Sequence, residues 1–332
     1  MMEKQVVDIR EKQNVWRNNL QKAVFCAIGV LFVQHAYAQL DVPTSMNWAT
    51  PTLYNPATAG SDSALHVTAF DRMQWVGIDD APQTFFVSAD LPFLLNRSRA
   101  GAGVSILNDQ EGLFNTVYLN AQFSFSKKLF GGRLALGVQP GFVNQTFKGG
   151  EVSIPTGDAW DPSDESIPTT DVSGMGFDLG FGAYYEKGKF YGGISAEHLL
   201  GTQLELGDYA YTELSQTFYF HGGCNIPIKK TLYILQPSFL VRTTFQFTQV
   251  DLTMRALYDN KFWGGITYRP GDAFALMVGA DVGAIRIGYS YDVGISRMGF
   301  ESGGSHELLL GWTMQIDFDK KARHGAKSIR IL

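Results

Sequence analysis

"GAIRIGYSYDVG", residues 283–294, decides how the rest of the chain is read. Ile285, Ile287, Tyr289 and Tyr291 alternate with Arg286, Gly288, Ser290 and Asp292. A strand sends successive side chains to opposite faces, so one face is apolar and aromatic. The other face carries a cation, an anion, a hydroxyl and bare backbone. The pattern returns in "HELLLGWTMQIDF", where His306, Leu308, Leu310, Trp312, Met314, Ile316 and Phe318 share one parity. Glu307, Leu309, Gly311, Thr313, Gln315 and Asp317 share the other. A bulky row opposite a small or polar row suits lipid outside and a polar lumen inside. Alternation alone also allows a soluble barrel or sandwich with the apolar row in its core.

Composition points the same way. Among 332 residues the charged fraction is 18%, below the roughly 25% of average globular proteins. Thirty-six glycines and abundant Phe, Tyr and Trp fit many twisted strands better than long helices. A net charge of -5 gives no case for nucleic-acid binding.

Lys4, Arg10, Lys12, Arg17 and Lys22 precede an apolar run, "AVFCAIGVLFV" at 23–33, and then "AYA" ending at Ala38. This is a signal-peptide pattern over 1–38 with a cut expected before Gln39. The run is too short to span hydrocarbon comfortably as a helix. Cys224 then remains as the one cysteine, which excludes an intramolecular disulfide and any site needing several thiolates.

Beyond residue 60, alternating or aromatic-rich runs separated by Gly, Pro, Asn and Asp predict fourteen strands. They cover 63–76, 81–93, 99–109, 114–128, 132–147, 172–186, 189–200, 213–227, 231–245, 247–259, 261–269, 273–281, 284–294 and 303–317. Connections after even strands are turn-like: "EKGK" at 186–189, "IKK" at 228–230 and "YDNK" at 258–261. The long ones, 148–171, 201–212 and 295–302, all follow odd strands. An outer-membrane barrel has short periplasmic turns, longer outer loops and an even strand number. The expectation is an all-β chain, a transmembrane antiparallel β-barrel of 14 strands over 63–318, with both termini periplasmic. Residues 39–62, with Pro43, Pro51 and Pro56, are expected to be a periplasmic or plug-like segment, and 319–332 a basic periplasmic tail.

Chemistry-bearing side chains give little. Glu151, Asp158, Asp161, Asp164, Glu165 and Asp171 in the loop 149–171 offer hard oxygens for calcium. Their spacing matches no calcium-loop motif, and a solvated loop explains them. His66, His198, His221 and His306 lie on separate predicted strands, so no metal site is expected. His306 and Glu307 face opposite ways, and Ser302 and Ser305 set up no Ser-His-Asp arrangement that spacing reveals. Gly174, Gly176, Asp178, Gly180 and Gly182 read as a luminal stripe. No catalytic residue and no cofactor is predicted. Trp48 and Trp160 are plausible partner anchors.

Three stretches carry a resemblance: "PTLYNPATAGS" at 51–61, "DRMQWVGIDDAPQTFFVSADLPF" at 71–93 and "GSHELLLGWTM" at 304–314, with "YSYDVGIS" before the last. In order and spacing, from about residue 40 to 318, the chain resembles the PorP/SprF family. The resemblance implies a Bacteroidota outer-membrane barrel, like transporter-like barrels in architecture, serving type IX secretion or gliding. It also implies a non-enzymatic role in secreting, retaining or anchoring surface cargo. Implied partners are secretion or gliding components, a cargo C-terminal domain, a periplasmic peptidoglycan-associated protein, and membrane lipid or lipopolysaccharide. Asn55, Pro56, Gly60, Arg72, Trp75, Gly77, Pro82, His306 and Glu307 match the family's signatures and are carried over as structural or interaction positions. The alternative is a passive outer-membrane transporter of a small solute.

Overall fold

The computed structural model describes residues 42–96, 98–152, 168–207 and 210–316. Apart from Phe245–Thr248, they belong to one compact unit. The predicted leader 1–38, the tail 319–332, Trp160 and the acidic centre of loop 149–171 lie outside the described residues.

Fourteen antiparallel strands form the wall. They are β1 Ala64–Met73, β2 Gln83–Leu95, β3 Ser98–Glu111, β4 Phe114–Leu129, β5 Gly132–Phe147, β6 Val172–Lys187 and β7 Phe190–Glu197. Then come β8 Thr217–Cys224, continued by Ile226–Pro227, β9 Tyr233–Thr243, β10 Thr248–Tyr258, β11 Phe262–Arg269, β12 Ala273–Val282, β13 Ile285–Gly294 and β14 Ser305–Gln315. Each strand pairs with its sequence neighbours, and β1 pairs with β14 from Ala64↔Gln315 to Met73↔His306. The ring is closed. A closed ring leaves no edge of unpaired N–H and C=O groups, which hydrocarbon would not tolerate. A ten-residue strand such as β13 is about 33 Å long, and at a tilt near 40° it climbs about 25 Å, the height of an outer-membrane apolar band.

The opening alternation is resolved by register. Ile285 faces Trp312, Ile287 faces Leu310 and Tyr289 faces Leu308, all on the outside. Ile287 and Leu310 are 54% and 58% exposed. On the other face Ser290 lies opposite Glu307, and both are buried. The apolar row meets no protein interior, so it is the lipid-facing surface.

All fourteen predicted strands are present, with ends shifted by a few residues, some shorter and some, such as Ser98–Glu111, longer than expected. The first stops at Met73: Gln74 N–H still donates in register to the Pro82 carbonyl (2.9 Å), and Trp75 then turns to φ 45°. The eighth is shorter than 213–227 and breaks at Asn225, which lies between its two pieces. Connections after even strands are all tight turns, whereas the long connections follow odd strands. One end of the barrel is thus a short-turn rim and the other a long-loop rim. One loop holds structure that alternation did not predict: Gln203–Leu206 pairs with Ala210–Glu213 as a small hairpin. Its Leu204, together with Leu214, packs on Val143 inside the mouth.

The luminal face departs from the expected polar row. Phe70, Phe86, Leu107, Trp263, Met277 and Leu309 point inward and cluster around Val42, Met46 and Ala49. They are apolar because the segment before β1 fills the lumen there.

Candidate functional site: a segment threaded through the lumen

Residues 42–61 are built from short turns. Asn47–Ala49 and Pro56–Thr58 are 3-10 turns, and Pro51–Tyr54 is a single helical turn. Pro51 and Pro56 each open their turn, where a fixed φ helps and a missing N–H costs nothing. Asn55 caps the last turn, its Oδ1 accepting from Ala57 N–H (2.9 Å).

The segment starts at the long-loop end of the barrel, in a network of six buried charges. Arg242, near the end of β9, donates to the Val42 carbonyl (2.8 Å). Arg269, the last residue of β11, donates to the Thr44 carbonyl (3.3 Å) and pairs with Asp251 (2.8 Å). Glu307 accepts both Ser45 N–H (2.7 Å) and Met46 N–H (3.0 Å). Ser45 Oγ donates to Asp292 (2.7 Å). Arg72 joins Ser45 Oγ (3.1 Å), Glu307 (3.2 Å) and Asp292 (2.8 Å). Asn47 donates to Asp251 (3.4 Å). Arg72, Arg242 and Arg269 therefore balance Asp251, Asp292 and Glu307, and none is more than 2% exposed. Buried charges persist when paired and hydrogen-bonded. Here the pairing also grips the backbone of the segment.

Midway, the Tyr54 hydroxyl bonds Thr44 Oγ1 (2.8 Å), and its ring tilts against Tyr219 at 5.5 Å. The Tyr54 carbonyl accepts from Ser195 Oγ. Asn55 Nδ2 reaches the Ala183 carbonyl (3.1 Å) and His221 Nε2 (3.1 Å). Trp48 packs edge-on against Trp263 at 4.8 Å and lies under the Arg255 guanidinium at 3.3 Å. It is an internal anchor, contrary to its expected place at a partner surface. A cavity of about 170 Å³ remains beside Tyr54, Tyr184, Tyr191 and His221.

The segment ends at the short-turn side. Ser124 Oγ donates to the Ala59 carbonyl (2.6 Å), Gly60 N–H donates to Asp90 (2.8 Å), and Arg99 donates to the Ser61 carbonyl (3.3 Å). Gly60 has φ 61°, and a Cβ there would meet Gly101 Cα at 2.7 Å, so only glycine fits. Residues 42–61 thus run the length of the lumen and are pinned at both ends.

The carried-over positions divide between plug and rim. Arg72 and Glu307 meet in the charge network, while Asn55, Pro56 and Gly60 sit on the plug. Trp75 N–H donates to Ser305 Oγ (3.2 Å), and Val76 N–H to the Gly304 carbonyl (2.9 Å), so the "DRMQW" and "GSHE" motifs pack together. Gly77, with φ 95°, and Pro82 belong to that rim loop. His306 faces outward, its Nδ1 within 2.6 Å of the Tyr289 hydroxyl. Ser305 is on the opposite face, so no Ser–His pair forms there. Sequence reading missed Ser45, Asp251, Asp292, Arg242 and Arg269 as a unit. Their shared signal is a charge or hydroxyl on a luminal or plug position near one rim.

His198 pairs with Asp178 (2.9 Å) and His66 with Asp62 (2.9 Å), each histidine with its own carboxylate. Among the described residues no group of His, Cys, Asp or Glu forms a metal-ligand cluster.

Against known structures, the chain is similar to the CymD monoaromatic hydrocarbon channel, with 11% identity, TM-score 0.47, and 83% of this chain and 95% of that one covered. It is similar to the P. putida toluene transporter TodX, with 11% identity, TM-score 0.45, and coverage of 80% and 94%. A mutant Rh. blastica porin gives 8% identity, TM-score 0.34, and coverage of 75% and 99%. No curated protein sequence matches the chain. The family described as type IX secretion system membrane protein PorP/SprF matches residues 36–312, nearly the whole barrel and its plug. The chain is a member of the PorP/SprF family, an outer-membrane β-barrel of the type IX secretion and gliding machinery.

Proposed function

We propose that this barrel is a non-catalytic scaffold of the type IX secretion and gliding machinery that secretes, retains or anchors surface cargo. Long loops face the exterior and meet the cargo C-terminal domain. Short turns, the start of β1 and the end of β14 face the periplasm and meet machine components, including a peptidoglycan-associated protein. Val42 lies at the long-loop end, so the described N-terminal segment reaches the periplasmic rim at Ser61, not at its start. The observation that carries the reading is the plug: a lumen threaded lengthwise and pinned at both ends supports a scaffold over an open conduit. The deciding experiment is purification in mild detergent with mass-spectrometric identification of what accompanies the protein. Secretion or gliding components should be recovered. Their absence, together with a reproducible solute pathway from the purified protein alone, would favour passive transport. Deletion within 149–171 should reduce cargo attachment. If it does not, while deletion of 319–332 does, the outer-loop role is wrong.

A further inference from the structure

The two rims differ in charge. Asp79, Asp80, Glu111, Glu205 and Glu301 are exposed around the long-loop rim. The short-turn rim is basic; within the β4–β9 arc Arg133 is paired with Glu186 (3.6 Å), and the lysines of the rim fall into two sets. On the side of β10–β13 the cations are neutralised locally: Lys261 pairs with Asp259 (2.7 Å) and Arg286 with Asp281 (2.8 Å). Three consecutive turns, β4–β5, β6–β7 and β8–β9, instead expose Lys127, Lys128, Lys187, Lys189, Lys229 and Lys230. None of these has a carboxylate partner among the described residues.

The same arc projects Phe130 and Phe190, 82% and 68% exposed. It is also held in shape. The Tyr185 hydroxyl (3.2 Å) and Lys187 Nζ (3.1 Å) both donate to the Phe130 carbonyl, and Asn225 N–H donates to the Lys189 carbonyl (2.9 Å). These bonds tie each turn to the next. Beside Phe190 an open cleft of about 530 Å³ is lined by Tyr185, Tyr191 and the lysines of the β6–β7 turn. Exposed aromatics, an apolar cleft and a basic surround match the makeup of a protein interface, where aromatic anchors supply affinity and charge supplies rate and selectivity. A lipid leaflet surrounds the barrel on every side, yet the unneutralised lysines fill one arc.

We propose that the arc formed by the β4–β5, β6–β7 and β8–β9 turns is a docking surface for a periplasmic protein with an acidic face. Phe130 and Phe190 act as its anchors. The inference rests on the scaffold reading, which places the short turns in the periplasm, and it names which part of that rim binds and what chemistry it recognises. Because the turns are already tied together, little ordering is lost on binding.

The test places a photo-crosslinking amino acid at Phe130, Phe190 or Phe262 of the full chain in cells; Phe262 is exposed on the neutralised side of the rim. Crosslinked species are identified by mass spectrometry. The captured protein is then purified, and its Kd is measured for the wild type and for K127E/K128E/K229E/K230E at two salt concentrations. Positions 130 and 190 should capture one acidic protein that 262 does not. The charge-reversed variant should bind it about tenfold more weakly or worse, with less salt dependence than the wild type. Capture of phospholipid only, equal capture at 262, or an unchanged Kd would each overturn the proposal. Heat-modifiable gel mobility reports whether the variant barrel is folded. Should it not be, F130A/F190A, which removes two exposed rings, decides the matter by the same Kd. If machine components accompany the wild type but bind the charge-reversed variant equally well, the arc is wrong and the scaffold reading stands. If none accompanies the wild type, the scaffold reading fails first.

Discussion

Replacing Glu307 by alanine should loosen the plug without opening the wall. Glu307 accepts the Ser45 and Met46 N–H groups at 2.7 and 3.0 Å and holds Arg72 at 3.2 Å. Each hydrogen bond to a charged group contributes about 1.5–3 kcal/mol, and removing one partner of a buried ion pair costs about 3–5 kcal/mol. These overlap, because Arg72 retains Asp292 and Ser45 retains its hydroxyl bond, so the net loss is taken as about 3–5 kcal/mol. At 1.4 kcal/mol per decade, the segment opens roughly 10² to 4 × 10³ times more often. The assay replaces the buried Ala49 by cysteine in a chain whose Cys224 is serine. It then compares maleimide labelling rates with and without Glu307→Ala. Labelling should accelerate by about that factor, with Glu307→Gln, which keeps one acceptor oxygen, in between. An unchanged rate in a barrel that still shows heat-modifiable mobility would refute the idea that this carboxylate clamps the segment.

Other perturbations address the remaining contacts. Gly101→Ala would drive a Cβ into the Ala59 carbonyl, so the urea midpoint should fall by the equivalent of about 1–3 kcal/mol. Leu204→Ala empties a fully buried site under the loop hairpin. It should cost about 2–5 kcal/mol locally, seen as faster proteolysis within 203–213 while the wall stays resistant.

The wall was readable because its rule is local. Ile285 and Ile287 declare their face through neighbours one residue away, and the side of the barrel follows from turn chemistry at "EKGK" or "YDNK". The plug obeys no such rule. Pro43, Pro51 and Pro56 exclude a ladder strand, but Ser45 finds Glu307 across 262 positions, and no periodicity joins them. The family resemblance did mark Arg72 and Glu307, yet as separate motifs and without the salt bridge that unites them. Inward apolar residues such as Phe70 and Leu309 were equally opaque, since a polar lumen is the expectation until something fills it. The hairpin at 203–213 escaped because four-residue strands are too short for alternation to register.

The threading has a consequence for biogenesis. Residues 42–61 leave the exporter before any wall strand, whereas Asp292 and Glu307 sit on the last two strands to arrive. A finished cylinder offers no side route for this stretch, so gathering it while the sheet is still an open curl spares it an end-on passage down the lumen. Joining the final strand to the first then completes the ring and fastens the enclosed chain in a single act. A molecule that sealed around an empty interior would strand six mutually dependent charges without the main-chain groups they hold. Correct enclosure is thereby favoured at the moment of closure itself.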